Sequence, residues 1–229
     1  MTASSPARAI QPRFSACGSS ALLMDVAAGA FDLDAQKHLW SLAAAGSAVH
    51  GIAGVRGVVL GVNNMLVRFD PLAADPRELH GQLQSAWQAS GPLEATGRLV
   101  EVPVAYDMRP GSELEALASH ARLEVAEVIR LHTSADYHVA AIGSVPGFPY
   151  LVGLPPQLAM PRHQTPRAKV LKGSVAIGGA QAGIIPMDMP SGWNVLGFTD
   201  LELFDPLRAQ PSLLAPGDRL RFVQRRARP

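Results

Sequence analysis

Cysteine is almost missing from this 229-residue chain: Cys17 stands alone. A single thiol excludes an internal disulfide framework and every multi-cysteine zinc or iron–sulfur site, and it fits a reducing compartment. Charge is scarce as well, at 17% of residues against about 25% in an average soluble domain. Lys and Arg total 20 and Asp and Glu 19, a formal net charge of +1. That balance lacks the basic excess a polyanion selects, so no nucleic-acid partner is expected. No apolar run approaches the ~18 residues of a membrane helix, and residues 1–23 hold no stretch of signal-peptide length. The expectation is a cytoplasmic chain without a membrane partner. The phosphate loop G-x-x-x-x-G-K-[ST], the dinucleotide fingerprint G-x-G-x-x-G, the zinc motif H-E-x-x-H and the nucleophile elbow G-x-S-x-G are all absent. Gly178-Gly179-Ala180-Gln181-Ala182-Gly183 continues into Ile184-Ile185 where a phosphate loop needs Lys and Ser or Thr, and reads as a barrel turn. The seven histidines are scattered, so no metal site is expected, and without these motifs no organic cofactor is evident in the chain.

What is present is a chain of two characters. Ala21–Val26 is a short apolar run, followed by a helical pattern that opens near Asp32 or Asp34. Val55–Val62 and Asn64–Phe69 are β-rich runs around Gly61, Asn63 and Asn64, the turn chemistry of a hairpin. Asp75 caps a second helix, in which Leu79, Leu83 and Trp87 recur at multiples of four before Gly91-Pro92 stops it. Arg98–Tyr106, with Val100, Val102 and Val104 alternating, adds one more strand and completes the ferredoxin-like β-α-β-β-α-β order. Beyond Tyr106, Ser112 and Glu115 form a capping box ahead of two short packing helices. From Tyr137 onward short strand-like runs alternate with Gly and Pro, the pattern of a closed or nearly closed antiparallel barrel. The fold class is α+β: a small ferredoxin-like domain over residues 14–96, then a β-barrel domain over 97–225. Residues 1 to about 13 and the tail Arg225-Arg226-Ala227-Arg228-Pro229 are expected to fray.

The stretch from Gly143 to Trp193 is the informative one for chemistry. Pro146-Gly147-Phe148-Pro149-Tyr150-Leu151 sets two aromatics in a loop stiffened by proline, suited to the edge of a site or a partner surface. Pro161-Arg162-His163-Gln164-Thr165-Pro166-Arg167-Ala168-Lys169 concentrates cations between prolines. The arginines there either take carboxylate or phosphoryl oxygens or saturate loop carbonyls. Gln181 suits a substrate amide or a barrel turn. Trp193 suits a pocket wall or the core. His132, near Tyr137, is either a base or a packed histidine.

These segments resemble one family in order. Val128-Ile129-x-x-His132 with Tyr137, Pro146–Leu151, Pro161-Arg162-x-x-Thr165-Pro166-Arg167, Gly173-Ser174-Val175, Gln181-x-Gly183, Gly192-Trp193, Leu203-Phe204-Asp205-Pro206 and Pro216-Gly217-Asp218-x-x-x-Phe222 are similar to motifs of the family of KipI and the 5-oxoprolinase B subunits, also called allophanate hydrolase subunit 1. Ala21-Leu22-Leu23 and Leu66-Val67-Arg68-Phe69-Asp70-Pro71 extend the likeness more loosely. The chain departs from the family at Asp107–Gly111, where Gly-Gly-Glu is usual, and at Gly197-Phe198-Thr199, where Gly-Arg-Thr is common.

The resemblance implies a cyclophilin-like barrel in the second domain. It implies the B subunit of an ATP-dependent 5-oxoprolinase that opens 5-oxo-L-proline to L-glutamate with its A and C subunits as partners, inactive alone, with ATP as co-substrate of the complex. Its alternatives are a KipI-like inhibitor that binds a sensor histidine kinase, or a component of urea or allophanate metabolism. On this reading Arg162, Arg167 and His132 are the catalytic candidates. Phe148, Tyr150, His163, Thr165, Gln181 and Trp193 are the substrate-binding candidates.

Overall fold

The computed structural model describes residues 10–27, 29–93, 97–106 and 111–225. Of the segments singled out above, residues 1–9, Asp107–Pro110 and the tail beyond Arg225 lie outside them. The chain divides into two compact units, Met1–Ala95 and Thr96–Pro229.

The first unit runs β1 (Arg13–Ala16), β2 (Ala21–Asp25), α1 (Leu33–Ala43), β3 (Val55–Leu60), β4 (Asn64–Phe69), α2 (Pro76–Ala89). Its sheet order is β1-β2-β4-β3, antiparallel throughout. Asp32 caps α1 by accepting from the Ala35 amide at 2.9 Å, and Asp75 caps α2 ahead of Pro76, so both helix starts follow from a short acceptor in extended backbone. Asn63 turns the β3–β4 hairpin with φ of 53°, a conformation asparagine tolerates. Its side-chain amide donates to the Asp32 carbonyl at 2.7 Å, tying the hairpin to the start of α1. Met24, Leu39, Met65, Val67, Leu79 and Leu83 form the core.

The ferredoxin-like order needs correction at one strand. Arg98–Tyr106 does not complete this sheet; the position beside β2 is taken by β1, part of which falls in the segment expected to fray. Alternation in Val100, Val102 and Val104 specifies a half-buried strand but not the sheet that receives it.

The second unit begins with that strand, β5 (Leu99–Val104), then α3 (Leu114–Ala121), α4 (Val125–Ser134), β6 (Tyr137–Ile142), β7 (Pro149–Val152), β8 (Arg167–Val170), β9 (Ser174–Gly178), β10 (Gln181–Ile184), β11 (Met189–Ser191), β12 (Asn194–Phe198) and β13 (Arg219–Gln224). Seven of these strands form a sheet ordered β12-β9-β10-β7-β6-β13-β5, while β8 and β11 make a separate ribbon. The sheet curls almost shut. Ala105, just past β5, exchanges backbone hydrogen bonds with Phe198 at the end of β12, at 2.8 and 3.0 Å. Val102, Val139, Leu151, Ile177, Leu196 and Leu220 fill the interior.

Three details differ from the sequence expectations. β5 pairs with β13 in parallel, so the barrel is not wholly antiparallel. Leu201–Leu203 is not a strand; only neighbouring Phe204 forms an isolated bridge, with Ser212. The Ser112/Glu115 capping box does not form: α3 starts at Leu114, whose amide lies 3.4 Å from the Ser112 hydroxyl, and Glu113 occupies the N-cap without a side-chain cap bond. Its carboxylate is engaged elsewhere, as described below. Among the described residues no helix is long and apolar enough to cross a membrane.

Candidate ligand-binding cleft

The cleft starts from a tight turn and a glycine floor. Between β6 and β7 the Gly143 amide donates to the Phe148 carbonyl at 3.1 Å and the Phe148 amide to the Val145 carbonyl at 3.2 Å. Phe148 and Tyr150, two apart and so on one side of the strand, stand with their rings 5.0 Å apart, edge to face. Trp193, just before β12, meets Phe148 edge-on at 5.3 Å. Beneath it lie two glycines of the β9–β10 hairpin. A Cβ on Gly178 would sit 2.6 Å from the indole, and one on Gly183 would sit 2.9 Å from the Phe148 ring. Only a strand face stripped of side chains lets Trp193 lie this close.

Phe148, Tyr150 and Trp193 wall a cleft of about 460 Å³, which Arg162, His163 and Ser191 also line. That is within the size range of small-ligand sites. The His163 amide donates to the Gly192 carbonyl at 2.8 Å, fixing the loop at the rim. Arg162 is exposed, with no hydrogen-bond or ion-pair partner among the described residues.

Arg167 is held differently. Its Nη1 lies 2.8 Å from Glu113 Oε2, and its Nη2 donates to the Trp193 carbonyl. Glu113 Oε1 lies 2.6 Å from His163 Nε2, and Oε2 accepts from the Val195 amide at 2.8 Å. One carboxylate therefore braces a cleft histidine, an arginine and the strand that follows Trp193. Sequence reasoning missed Glu113, because its partners lie 50 and 82 positions away. The available signal was a carboxylate beside the barrel's first helix in a chain whose cations cluster at 162–169.

The other candidates stand apart. Thr165 is exposed on the same loop and Gln181 half-buried at the start of β10, neither lining the cleft. His132 is fully buried, its ring stacked on Phe222 at 4.3 Å. Its Nδ1 lies 2.6 Å from the Tyr106 hydroxyl, while Nε2 has no partner. Burial pushes its pKa down to about 3, so the ring is neutral at physiological pH, and desolvation also raises the Tyr106 hydroxyl above its ordinary value. The structure thus places His132 in the barrel core and does not bring it to the cleft. Among the described residues no group of three or more His, Cys, Asp or Glu is placed to hold a metal ion.

A nearly closed barrel thus carries a small aromatic cleft with an exposed arginine in its lining, and residues 12–214 match the family model "Carboxyltransferase domain, subdomain C and D". The chain is 42% identical over 194 residues to the 5-oxoprolinase B subunit of Escherichia coli O157:H7, covering 83% of this chain and 86% of that protein. It belongs to the family of 5-oxoprolinase B subunits within these carboxyltransferase-type domains. Among solved structures, TTHA0988 superposes with a TM-score of 0.76 at 32% identity; the match covers 91% of this chain but only 40% of that longer one. The K. lactis urea amidolyase shares the fold, with a TM-score of 0.77 at 20% identity, over 95% of this chain and 15% of its own.

Proposed function

We propose that this chain is the B subunit of an ATP-dependent 5-oxoprolinase, acting in the cytoplasm with A and C subunits to hydrolyse 5-oxo-L-proline to L-glutamate. On the same reading the domains are 14–96, a ferredoxin-like variant, and 97–225, a cyclophilin-like barrel. The observation that carries the proposal is the unpartnered Arg162 at the rim of an aromatic cleft beside a histidine held by Glu113. A five-membered lactam acid suits that arrangement. Its carboxylate pairs with Arg162, its ring methylenes pack on Phe148 and Trp193, and His163 exchanges a hydrogen bond with the lactam amide. Arg167, already neutralised by Glu113, acts by holding the Trp193 backbone and not as a free cation. An unstrained lactam resists hydrolysis, and ATP, as co-substrate, would activate the amide oxygen by phosphorylation for attack by water. Fixed cationic donors stabilise the charge that then develops.

Co-expression with candidate A and C subunits tests this reading, with 5-oxoproline and ATP consumption measured together. The expected result is coupled turnover by the assembled subunits and none by this chain alone. Turnover by the isolated chain would overturn the shared-site idea. An inert complex, or stable association with a sensor histidine kinase in its place, would overturn the oxoprolinase assignment.

A further inference from the structure

A second, smaller hollow shares no lining residue with the aromatic cleft. It measures about 150 Å³, and its walls include Arg167, Lys169, Ser174, Val170, Val195 and Phe198. Two buried polar atoms on these wall residues have no partner: Arg167 Nε and Ser174 Oγ. Ser174 is 1% exposed at the first position of β9, so its hydroxyl cannot turn to solvent for relief. Leaving such a group unpaired costs about 1–3 kcal/mol, and buried polar atoms in native proteins nearly always find a protein group, a water or an ion. Both cations on these walls already have a carboxylate partner, Arg167 through Nη1 on Glu113 and Lys169 through Nζ on Asp188 at 2.8 Å. What remains unpartnered on the wall residues is a guanidinium N–H and a hydroxyl, and no carboxylate is among the lining residues.

We infer that this hollow is a binding site for a small oxyanion, separate from the aromatic cleft. Arg167 Nε–H and the Ser174 hydroxyl would donate to the anion's oxygens, with the Lys169 ammonium at the edge and Val170, Val195 and Phe198 as apolar walls. Size sets the class of ligand. A cavity of about 150 Å³ admits a molecule the size of benzene, enough for phosphate, bicarbonate or a short carboxylate and far too small for a nucleotide. The inference does not depend on the oxoprolinase reading, since it rests on orphaned donors that any function of the chain must satisfy.

The Arg Nε–H resonances of the isotopically labelled full chain test it, titrated at constant ionic strength with inorganic phosphate, bicarbonate or acetate. A saturable shift of the Arg167 Nε–H signal is expected. The phosphate arm against the two planar anions tells a phosphoryl ligand from a carboxylate one. Ser174→Ala should weaken that binding about tenfold or more, the ordinary yield of a hydrogen bond to a charged group, while the thermal midpoint stays level or rises because an unpaired buried hydroxyl is gone. A hydroxyl with a purely structural role would instead lower the midpoint. No response of Arg167 to any of the three anions overturns the inference, as does an unchanged response in Ser174→Ala.

Discussion

Gly178 lies directly beneath Trp193: the nearest indole atoms stand 2.6 Å from where a Cβ would be. Gly178→Ala therefore forces the indole away from the strand. The expected cost is about 1–3 kcal/mol, the range for overpacking a well-filled site. Urea unfolding measures that loss, and a changed Trp emission in the folded variant shows that the cleft floor has moved. Unaltered stability and fluorescence would show that the contact is relieved at no cost.

Glu113→Ala removes the acceptor shared by Arg167, His163 and the Val195 amide. The guanidinium and amide are left without their carboxylate partner, and the expected destabilisation is about 2 kcal/mol, discounted from the fully buried case because these side chains are partly exposed. Glu113→Gln keeps an oxygen for the Val195 amide and should lose less. Chemical denaturation of both variants measures the difference; equal losses would mean that charge and not hydrogen bonding dominates.

Stability should fall in acid on account of His132. Its pKa is about 3 in the folded chain against 6.5 when exposed. Above pH 6.5 the ring is neutral in both states and imposes no penalty. Between 6.5 and 3 the unfolded chain takes up a proton that the native one refuses, so stability declines by up to about 1.4 kcal/mol per pH unit. Denaturation curves across that interval should be steeper for the native sequence than for His132→Gln, and parallel profiles would refute the assignment.

Arg162→Ala separates binding from folding. With no partner to lose among the described residues, the unfolding free energy should change by less than about 0.5 kcal/mol. On the proposed oxoprolinase reading, in which Arg162 pairs with the substrate carboxylate, the KM of the assembled complex for 5-oxoproline should rise tenfold or more as that charge-assisted bond is lost. An unchanged KM would move the carboxylate site elsewhere.

Local chemistry was legible in the sequence and long-range pairing was not. The cap at Asp75, the helix start near Asp32 or Asp34 and the hairpin around Asn63 depend on neighbours a few residues away, and the structure forms each of them, with Asp32 as the first helix's cap. The clustering of Phe148, Tyr150, Arg162, His163 and Trp193 around one cleft also follows from segments the sequence marked out. The valines of β5 show a strand with one buried side, but no pattern in them names β13 as neighbour. Arg162 and Arg167 look alike in sequence, each preceded directly by a proline. A single carboxylate reached from the start of α3 makes one a brace and leaves the other exposed. Nor does Ser112-x-x-Glu115 reveal that Glu113 is drawn toward His163, because a capping pattern carries no information about a loop 50 positions away.

The parallel pairing of β5 with β13 bears on how the barrel comes into being. Its first strand in chain order, Leu99–Val104, bonds along one side only to its last, Arg219–Gln224, and Pro103 faces the edge left over. During synthesis Val102 and Val104 therefore leave the ribosome more than a hundred residues ahead of the strand that covers them. Until Gln224 has emerged, both β5 and β6 present bare edges on that side, and non-local pairing of this kind slows folding because loop closure must come first. A nascent chain stalled before residue 219 would expose the strand edges most prone to aggregation.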